Sequence, residues 1–247
     1  MPKVLAWNLR HGGGPRRMPE IGLCLLEHAA DVVILTEFRR TTGGQIAGIL
    51  HDHGWTHQHA TDPPQGCNGV LIASRTPLEG PAEIGATARP AGICNHAPAL
   101  RQRLAEVCLP GLGLALAAVH IPCDGTGMLR AAAFQALIAA ARRRRDEPYL
   151  VMGDLNAGRH HLDEAGATFT DTCCLGRLAA LGYRDAWRDR HSAGREYSWY
   201  SHTGGGFRID HALLSAPLVP RLRACWYSHR ERELGLSDHS AMILSLD

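Results

Sequence analysis

Several apolar stretches of this 247-residue sequence end in a polar residue that could bind a metal ion or transfer a proton. In chain order these residues are Asn8, Glu37, His120, Asp154 with Asn156, and Asp210 with His211. Polar side chains at neighbouring strand ends meet on one rim of a sheet, where most binding sites of α/β proteins are built. We therefore expect these side chains to converge on a single site.

The residue types in this set suit the hydrolysis of a phosphate ester. Such a reaction needs charge neutralisation at the phosphate oxygens, an activated water molecule and assistance to the leaving oxygen. The sequence offers carboxylates, amides and imidazoles for these tasks: Glu37, Asp154, Asp210, Asp238, Asn8, Asn156, His120 and His239. Oxygen ligands favour Mg²⁺ or Mn²⁺, which keep several waters and need only a few carboxylates. The set therefore indicates a metal-dependent phosphoesterase.

Short apolar runs bounded by turn residues predict the strands that would position these side chains. We predict strands at Val4–Trp7, Asp31–Thr36, Gly69–Ala73, Arg103–Leu109, Leu112–His120, Tyr149–Met152, Ile209–Leu214 and Ala241–Leu246. Pro110-Gly111 is a hairpin signal between the fourth and the fifth of these strands. Helices are predicted at Met18–His28 and Met128–Ala141, and the second is rich in alanine with apolar residues at helical spacing.

The composition is that of an ordinary globular protein. Hydrophobic residues make up 45% of the chain and charged residues 20%, which is far from a disordered composition. Since the sequence has no internal repeat and no recognisable linker, we expect residues 1–247 to form a single domain. The net charge of +2 gives no overall attraction to nucleic acid, so any DNA affinity must come from local patches.

The cysteine pattern and the lack of targeting signals predict a cytoplasmic protein with reduced thiols. The eight cysteines are scattered and none forms a C-x-x-C pair, so a zinc knuckle is not indicated. The first residues lack the apolar core of a signal peptide. No apolar run approaches the ~20 residues needed to span a bilayer. We expect no membrane association and no obligate protein partner, and hence a monomer.

Six short segments resemble the endonuclease/exonuclease/phosphatase superfamily, which includes exonuclease III, abasic-site endonucleases and deoxyribonuclease I. They are Trp7-Asn8, Leu35-Thr36-Glu37, Gly69–Arg75, Gly153-Asp154-Leu155-Asn156, Arg208-Ile209-Asp210-His211 and Ser237-Asp238-His239. One four-residue match can arise by chance, but six matches in the family's order span nearly the whole chain. The resemblance implies an α/β fold: a four-layer sandwich of two packed mixed or antiparallel sheets flanked by helices.

The resemblance also implies roles for the matching residues. Glu37 would be the principal metal ligand, with Asn8 and Asp238 beside it, and Asn8 would lie close to the substrate as well. Asp154 would position or deprotonate the attacking water, and Asn156 would hold a phosphate oxygen.

Two histidines complete the catalytic set that the resemblance implies. His239 would bind or protonate the phosphate, and Asp210 would fix its tautomer, because a carboxylate behind a histidine stabilises the protonated form. His120 stands where exonuclease III-like enzymes have a tyrosine. A histidine there resembles the deoxyribonuclease I and phosphatase branches, in which it contacts phosphate and can act as an acid.

The segment Gly182–Ser215 looks most like exonuclease III, which implies DNA as the substrate. In that subfamily the matching aromatic stretch and Arg-Ile-Asp lie beside the DNA groove, so Trp199 and Arg208 are candidate DNA contacts. Stacking of Trp199 on a base or sugar would contribute roughly 1–3 kcal/mol. Arg39 follows Glu37 closely and could contact phosphates at the rim without reading the DNA sequence.

Several of these residues also have simpler explanations. Asn8 could cap a turn, and Asp154 and Asn156 could make Asx turns. For His211 we favour a buried ion pair or a satisfied core histidine, since the resemblance assigns it no role. Four histidines lie at alternate positions between residues 51 and 59, a spacing that would place zinc ligands on one face of a strand. They lack acidic or thiolate partners nearby, so a zinc site is not favoured.

Two other functions stay open from the sequence. The first is a phosphatase or phosphodiesterase that acts on a small molecule or a lipid headgroup, which His120 and the near-neutral net charge favour. The second is a binding module that keeps the fold without catalysis. The intact set of acidic, amide and histidine residues argues against this second function.

Overall fold

Strands and helices alternate along the chain in a computed structural model that describes residues 1–82 and 97–247. The strands are β1 (Lys3–Asn8), β2 (Val32–Phe38), β3 (His57–Ala60), β4 (Gly69–Ser74), β5 (Glu79–Ala82), β6 (Leu104–Leu109), β7 (Leu114–His120), β8 (Tyr149–Asp154), β9 (Arg184–Asp185), β10 (Trp199–Tyr200), β11 (Gly206–Phe207), β12 (Asp210–Leu214), β13 (Leu222–Ser228) and β14 (Ala241–Leu246). The helices are α1 (Met18–His28), α2 (Arg40–Asp52), α3 (Ala97–Arg101), α4 (Met128–Arg144), α5 (Thr172–Ala180), α6 (Ala186–Arg190) and α7 (Arg230–Glu233).

Within the described residues the strands form two six-stranded sheets and one small hairpin. The first sheet has the order β13-β14-β1-β2-β4-β3, and the second has the order β5-β6-β7-β8-β12-β9. The hairpin pairs β10 with β11. Each sheet contains one parallel pair, β1 with β2 and β7 with β8, so the ends of those strands lie on the same edge.

The two sheets pack face to face, with helices on both outer sides. Val4 and Ala6 of β1 lie in the core between the sheets, together with Leu116 and Ala118 of β7. Because successive side chains of a strand point to opposite faces, the alternate residues of β1 and β2 pack on α1 and α2. Those of β7 and β8 pack on α4 and α5. This arrangement confirms the predicted four-layer α/β sandwich.

The predicted strands and both predicted helices occur in the fold, with some shifted ends. The Pro110-Gly111 signal marks a 3₁₀ turn, so β7 begins at Leu114, two residues later than predicted. Helix α4 extends to Arg144, and arginines near its end pair with Glu106, a buried carboxylate of β6. In the described part of the chain, no helix is long and apolar enough to cross a membrane.

The polar strand ends meet at one edge of the sandwich. In the second sheet, His120 of β7 lies opposite Asp154 of β8, and Asp154 lies opposite Asp210 of β12. In the first sheet, Asn8 of β1 pairs with the residue that precedes Glu37 on β2. The register of the two sheets therefore sets the positions from which these side chains reach one another.

Candidate active site

Glu37 reaches this edge because β2 is irregular at its position. The register between β2 and β4 shifts at Glu37, which lies in a β-bulge with a left-handed φ of 54°. Bulges re-aim a side chain and are common beside active sites. A non-glycine residue in this region costs of order 1–3 kcal/mol, so surrounding contacts must stabilise it. The bulge brings the carboxylate close to Asn8 of the first sheet and His120 of the second.

The Asn8 side chain connects two carboxylates that belong to different sheets. Its Nδ2 donates to Asp154 Oδ2 at 2.9 Å and lies 3.4 Å from Glu37 Oε1. Its Oδ1 accepts the Arg10 backbone N–H at 2.8 Å. In this orientation Asn8 presents a donor to both carboxylates. A direct metal bond from Asn8, as expected from the sequence, would therefore require its amide to turn over.

His11, which lies at the rim of the site, contacts the Glu37 carboxylate. Glu37 Oε2 accepts the His11 backbone N–H at 2.5 Å and lies 3.0 Å from His11 Nδ1. Burial alone would raise the pKa of Glu37, but the electrostatic interaction with the nearby His120 ring and hydrogen bonds from His11 and Asn8 lower it. Glu37 is therefore ionised at neutral pH, as a carboxylate metal ligand must be.

Asp154 is buried and accepts hydrogen bonds on both oxygens. Its Oδ1 accepts the Asn156 backbone N–H at 2.8 Å, and Asn156 Nδ2 lies 3.3 Å from its Oδ2. Burial, followed by the charge of Asp210, raises the pKa of Asp154 to about 7. A carboxylate with this pKa can accept a proton from water near neutral pH and release it again.

The backbone on either side of Asp154 is tightly constrained. Gly153 has a φ of 141°, and a Cβ at this position would lie 2.2 Å from the Val119 carbonyl oxygen. Asn156 has a left-handed φ of 47°, and its Nδ2 donates to the Ile121 carbonyl at 2.9 Å. These contacts fix the loop after β8 against the end of β7.

Asp210 and His239 form a buried ion pair. His239 Nδ1 donates to Asp210 Oδ2 at 2.9 Å, and Ser198 Oγ accepts the Asp210 backbone N–H. Burial alone would lower the pKa of His239, but the Asp210 carboxylate raises it to about 10. His239 is thus an imidazolium at neutral pH, and Nε2 is the ring nitrogen that can face a phosphate oxygen.

His120 lies close to Glu37 and Asp154, and unlike His239 its ring is neutral. Arg103 Nη1 lies 3.2 Å from His120 Nδ1; because a guanidinium only donates, Nδ1 accepts and Nε2 carries the proton. Nε2 lies 3.9 Å from both Glu37 Oε1 and Asp154 Oδ2. Burial, followed by the charge of Arg103, lowers the pKa of His120 to about 4. At neutral pH the ring is therefore a neutral donor and not the acid expected from the sequence.

The cluster has an excess of buried negative charge that a metal ion would relieve. Ligand atoms of Asp154, Asp210 and His239 lie within 4.8 Å of one another, although the protonated His239 ring would have to lose a proton before it could bind an ion. The ionised Glu37 carboxylate adds an oxygen donor beside this group. Buried charges need compensation, and oxygen donors are the ligands that hard divalent cations select. The residues present therefore fit a divalent metal.

Asp238 and Trp199 lie together at the rim. Trp199 Nε1 donates to Asp238 Oδ2 at 3.2 Å, and the Trp199 and His239 ring centroids are 6.5 Å apart. Asp238 Oδ2 also lies 3.9 Å from Arg10 Nε. The sequence led us to expect Asp238 beside Glu37. In the structure its carboxylate instead contacts Trp199 and Arg10 at the rim.

A basic group at the mouth includes two residues that the sequence patterns did not single out. Arg10 and His11 have left-handed φ values of 49° and 55° and begin a turn that continues through the glycines at 12–14. Their side chains are 54% and 65% exposed. Arg39 joins them, since its Nη2 lies 3.0 Å from His11 Nδ1 and its Nε donates to Asn68. The glycine run was the available signal, because it permits this turn.

Arg208 lies outside the cluster, in a buried ion network behind β12. Its Nε donates to Asp163 Oδ1 at 2.7 Å and its Nη2 to Asp185 Oδ2 at 2.6 Å. The expected DNA contact of Arg208 is wrong, because these carboxylates hold its guanidinium in the protein interior. His211 belongs to the same network, with Nδ1 3.1 Å from Asp185 Oδ2 and Nε2 2.8 Å from the Ala157 carbonyl. This is the buried ion pair that we favoured for His211.

The four histidines between residues 51 and 59 do not form a metal site. His51 lies in α2 and His53 follows it, whereas His57 and His59 lie on β3. Across residues 1–82 and 97–247, the one group of metal-binding side chains that converges is Asp154, Asp210 and His239.

Comparison with known sequences identifies a family for nearly the whole chain. A model of the Endonuclease/Exonuclease/phosphatase family matches residues 5–239. A search of curated proteins finds no match.

Solved structures match the fold over its full length at low sequence identity. An AP endonuclease from Archaeoglobus fulgidus has a TM-score of 0.82 and 19% identity, with 100% of both chains covered. The 3′ phosphatase NExo from Neisseria, bound to a product DNA hairpin, has a TM-score of 0.81 and 20% identity, again with 100% of both chains covered. The 3′-5′ exonuclease NExo from Neisseria meningitidis has a TM-score of 0.79 and 21% identity over 99% of both chains. These matches show a shared fold.

Proposed function

Because the chain belongs to the endonuclease/exonuclease/phosphatase family, we propose that it hydrolyses phosphodiester bonds in DNA with a bound Mg²⁺ or Mn²⁺ ion. One observation carries the proposal. Asp154, a carboxylate with a pKa of about 7, lies in one buried cluster with the imidazolium of His239 and beside the ionised Glu37. This combination supplies a proton acceptor, a cationic phosphate ligand and a metal ligand to one cleft.

Glu37 would hold the metal. Asn8 would join it if its amide turned over, and Asp238 would approach from the rim. Glu37 suits this task because its carboxylate is ionised and its Oε1 faces the other residues of the cluster. His239 is a poorer ligand, because its Nδ1 is bonded to Asp210 and the ring is protonated. When bound, a divalent cation neutralises charge on the phosphate oxygens and helps to orient the ester.

The protein residues would share the movement of protons and the binding of phosphate. Asp154 would accept the proton of the attacking water, and the Asn8 amide would orient its carboxylate. Asn156 Nδ2 makes a long contact of 3.3 Å with Asp154 Oδ2, and we propose that it would donate to a phosphate oxygen instead when substrate is bound. His239 and His120 would each donate Nε2–H to phosphate oxygens, and His239 would supply a proton to the leaving oxygen.

Several features of the rim favour DNA as the substrate. Arg10 and Arg39 provide positive charge beside the cluster of a chain whose net charge is only +2. Arg39 would contact backbone phosphates, while the Trp199 ring would pack on a sugar or base. Two neighbours in fold support the assignment: one is described as an AP endonuclease, and another was solved with a DNA hairpin. All of these residues come from one chain, so we propose that a monomer suffices.

Cleavage of end-labelled DNA tests this function. Intact, nicked and abasic-site duplexes are incubated with Mg²⁺, Mn²⁺ or EDTA and with the wild type, Glu37→Gln or Glu27→Gln. Glu27, an exposed carboxylate of α1, provides the matched control. We expect metal-dependent cutting that Glu37→Gln loses and Glu27→Gln keeps, with product lengths that distinguish exonuclease, nicking and abasic-site activity. Cutting in EDTA, or full activity of folded Glu37→Gln, would contradict the proposal.

A second candidate function is hydrolysis of a phosphomonoester or of a small-molecule or lipid phosphoester. His120 favours it, because its buried Nε2–H donor is directed into the cluster. One neighbour in fold is described as a 3′ phosphatase. Release of inorganic phosphate from a 3′-phosphorylated duplex or from a chromogenic monoester, without cutting of the DNA chain, would favour this function. The salt dependence also discriminates, since DNA affinity falls steeply with salt.

A further inference from the structure

Arg130, the third residue of α4, bonds three segments at the edge of the second sheet. Its Nη1 donates to the Pro122 carbonyl at 2.6 Å, and its Nη2 donates to the Asn156 carbonyl at 2.9 Å. Its Nε donates to Asp171 Oδ2 at 2.6 Å. The residue is only 2% exposed. One buried guanidinium therefore joins the loop after β7, the loop after β8 and the residue that precedes α5.

An arginine is required for this set of contacts. The guanidinium is planar and presents its N–H groups in fixed directions, so it can reach three acceptors at once. Asp171 compensates its buried charge, and the Phe134 ring lies 5.1 Å from its Cζ on the next turn of α4. A lysine could keep the ion pair with Asp171 but could not bond both carbonyls in the same geometry.

The two carbonyls bonded by Arg130 belong to the segments that carry His120 and Asn156. Pro122 lies two residues after His120. Ile121 between them donates its N–H to the Asp154 carbonyl at the end of β8 and accepts a hydrogen bond from Asn156 Nδ2. Asn156 has a left-handed backbone, which persists only when several contacts determine it. The bond from Arg130 to the Asn156 carbonyl is one of those contacts.

We propose that Arg130 is a positioning residue for phosphoester hydrolysis. It holds the loops of His120 and Asn156 at a fixed separation and touches no reacting atom. Its kinetic effect rests on the proposed function, whereas its effect on loop rigidity does not. A displacement of about 1 Å at such a site can lower the rate about 100-fold.

Kinetics of Arg130→Lys and Arg130→Ala test this role. Arg143→Ala is the matched control, because Arg143 lies on the same helix, pairs with Glu106 and leaves that carboxylate paired with Arg144. We expect kcat to fall roughly 10- to 100-fold in both Arg130 variants, with KM changed less than about twofold. Guanidinium added to Arg130→Ala should restore part of kcat and have no effect on Arg143→Ala.

Hydrogen exchange of the metal-free protein supplies a readout that needs no turnover. We expect faster exchange in residues 120–123 and 154–158 of Arg130→Lys, and wild-type exchange there in Arg143→Ala. An active wild type together with unchanged kcat in folded Arg130 variants would overturn the proposal. Unchanged exchange in both segments would overturn it as well. A wild type that hydrolyses no phosphoester would contradict the proposed function separately, and the exchange result would still decide the role of Arg130.

Discussion

The two histidines of the cluster differ in charge because their neighbours differ. His239 donates to the Asp210 carboxylate, which stabilises its protonated form. His120 accepts from the Arg103 guanidinium, which disfavours a second proton on the ring. His239 can therefore transfer a proton, whereas His120 can only donate a hydrogen bond. The identity of one neighbouring side chain decides which role each imidazole can have.

The pKa of Asp154 provides a test at the scale of one residue. In the metal-free protein, the Asp154 carboxyl carbon should titrate near pH 7 in a ¹³C NMR experiment, because burial and Asp210 raise the pKa. The folded state then binds this proton more tightly than the unfolded chain, whose aspartate pKa is about 4. Asp154 therefore contributes stability below about pH 4 that is lost as pH rises toward 7.

The outcome that contradicts this account is a midpoint near 4 for Asp154 in the folded, metal-free protein. Such a result would mean that water reaches the carboxylate, and Asp154 would then be a weaker base than proposed.

The order of the strand ends could be predicted from the sequence, but the contacts between them could not. Short apolar runs identified β1, β2 and β8, which carry a polar residue of the cluster at or next to their last position, and β12, which begins with one. The bulge at Glu37 and the left-handed backbone of Asn156 leave no periodic pattern. They arise from pairing with distant strands and from bonds across loops, which a local sequence pattern does not contain.

Sequence analysis missed helices α2 and α5 and strand β13, together with several elements that are short or polar. Strand β3 has the sequence His-Gln-His-Ala and lies at an edge of the first sheet, so it has no apolar run. The hairpin of β10 and β11 has strands of two residues each, and an isolated bridge joins Trp199 to His239. The position of Trp199 beside the cluster therefore depends on tertiary contacts that the sequence pattern could not show.

Gly153→Ala tests how tightly the end of β8 is packed on β7. The new Cβ would lie 2.2 Å from the Val119 carbonyl oxygen, at a φ that L-residues rarely adopt. We expect the free energy of unfolding in urea to fall by about 1–3 kcal/mol, with a loss of activity because Asp154 follows directly. Gly176→Ala is the control, since a Cβ there meets no atom within 4 Å in helix α5. It should raise stability by about 0.5–1 kcal/mol; equal effects of the two variants would contradict the packing argument.

On the scale of the whole molecule, a buried ion network stabilises the region behind the site. Arg208 and Arg188 share Asp163, and Arg208 also pairs with Asp185. The sequence could not show this role, because the two aspartates lie 45 and 23 residues from Arg208 along the chain. A motif match identifies the position of an arginine along the chain. It does not reveal whether carboxylates distant in sequence surround its side chain.

Arg208→Met tests whether this arginine is structural. The variant removes the guanidinium that Asp163 and Asp185 share and leaves Arg188 at Asp163 and His211 at Asp185. Because one partner of a buried ion pair is lost, we expect a loss of about 3–5 kcal/mol in the free energy of unfolding. KM for DNA of the folded fraction should stay near the wild-type value. Arg177→Met, a change on the exposed face of α5, is the control. A stable Arg208→Met protein with weakened DNA binding would reverse the assignment.

The same network determines the response to acid. Burial alone would raise the pKa of Asp163 and Asp185, but the charge of Arg208 lowers the pKa of both carboxyls. The folded state therefore holds these protons less tightly than the unfolded chain. The resulting stability is present above the unfolded aspartate pKa of about 4 and is lost as pH falls below it. Urea unfolding of the wild type and of Arg208→Met below about pH 4, outside the range in which Asp154 titrates, should show this loss in the wild type and less of it in the variant. A flat wild-type profile in that range would contradict it.

The most direct test of metal-dependent hydrolysis is single-turnover cleavage of a DNA duplex during a Mg²⁺ titration. Wild type, Glu37→Gln and Asp154→Asn are compared after their folding has been verified. We expect Glu37→Gln to need more Mg²⁺ for its half-maximal rate, because it loses a charged ligand. Asp154→Asn should saturate at a similar Mg²⁺ concentration with a maximal rate roughly 10²- to 10⁴-fold lower, because it loses the proton acceptor. A wild-type maximal rate in Asp154→Asn, or an unchanged Mg²⁺ requirement in Glu37→Gln, would contradict the assigned roles.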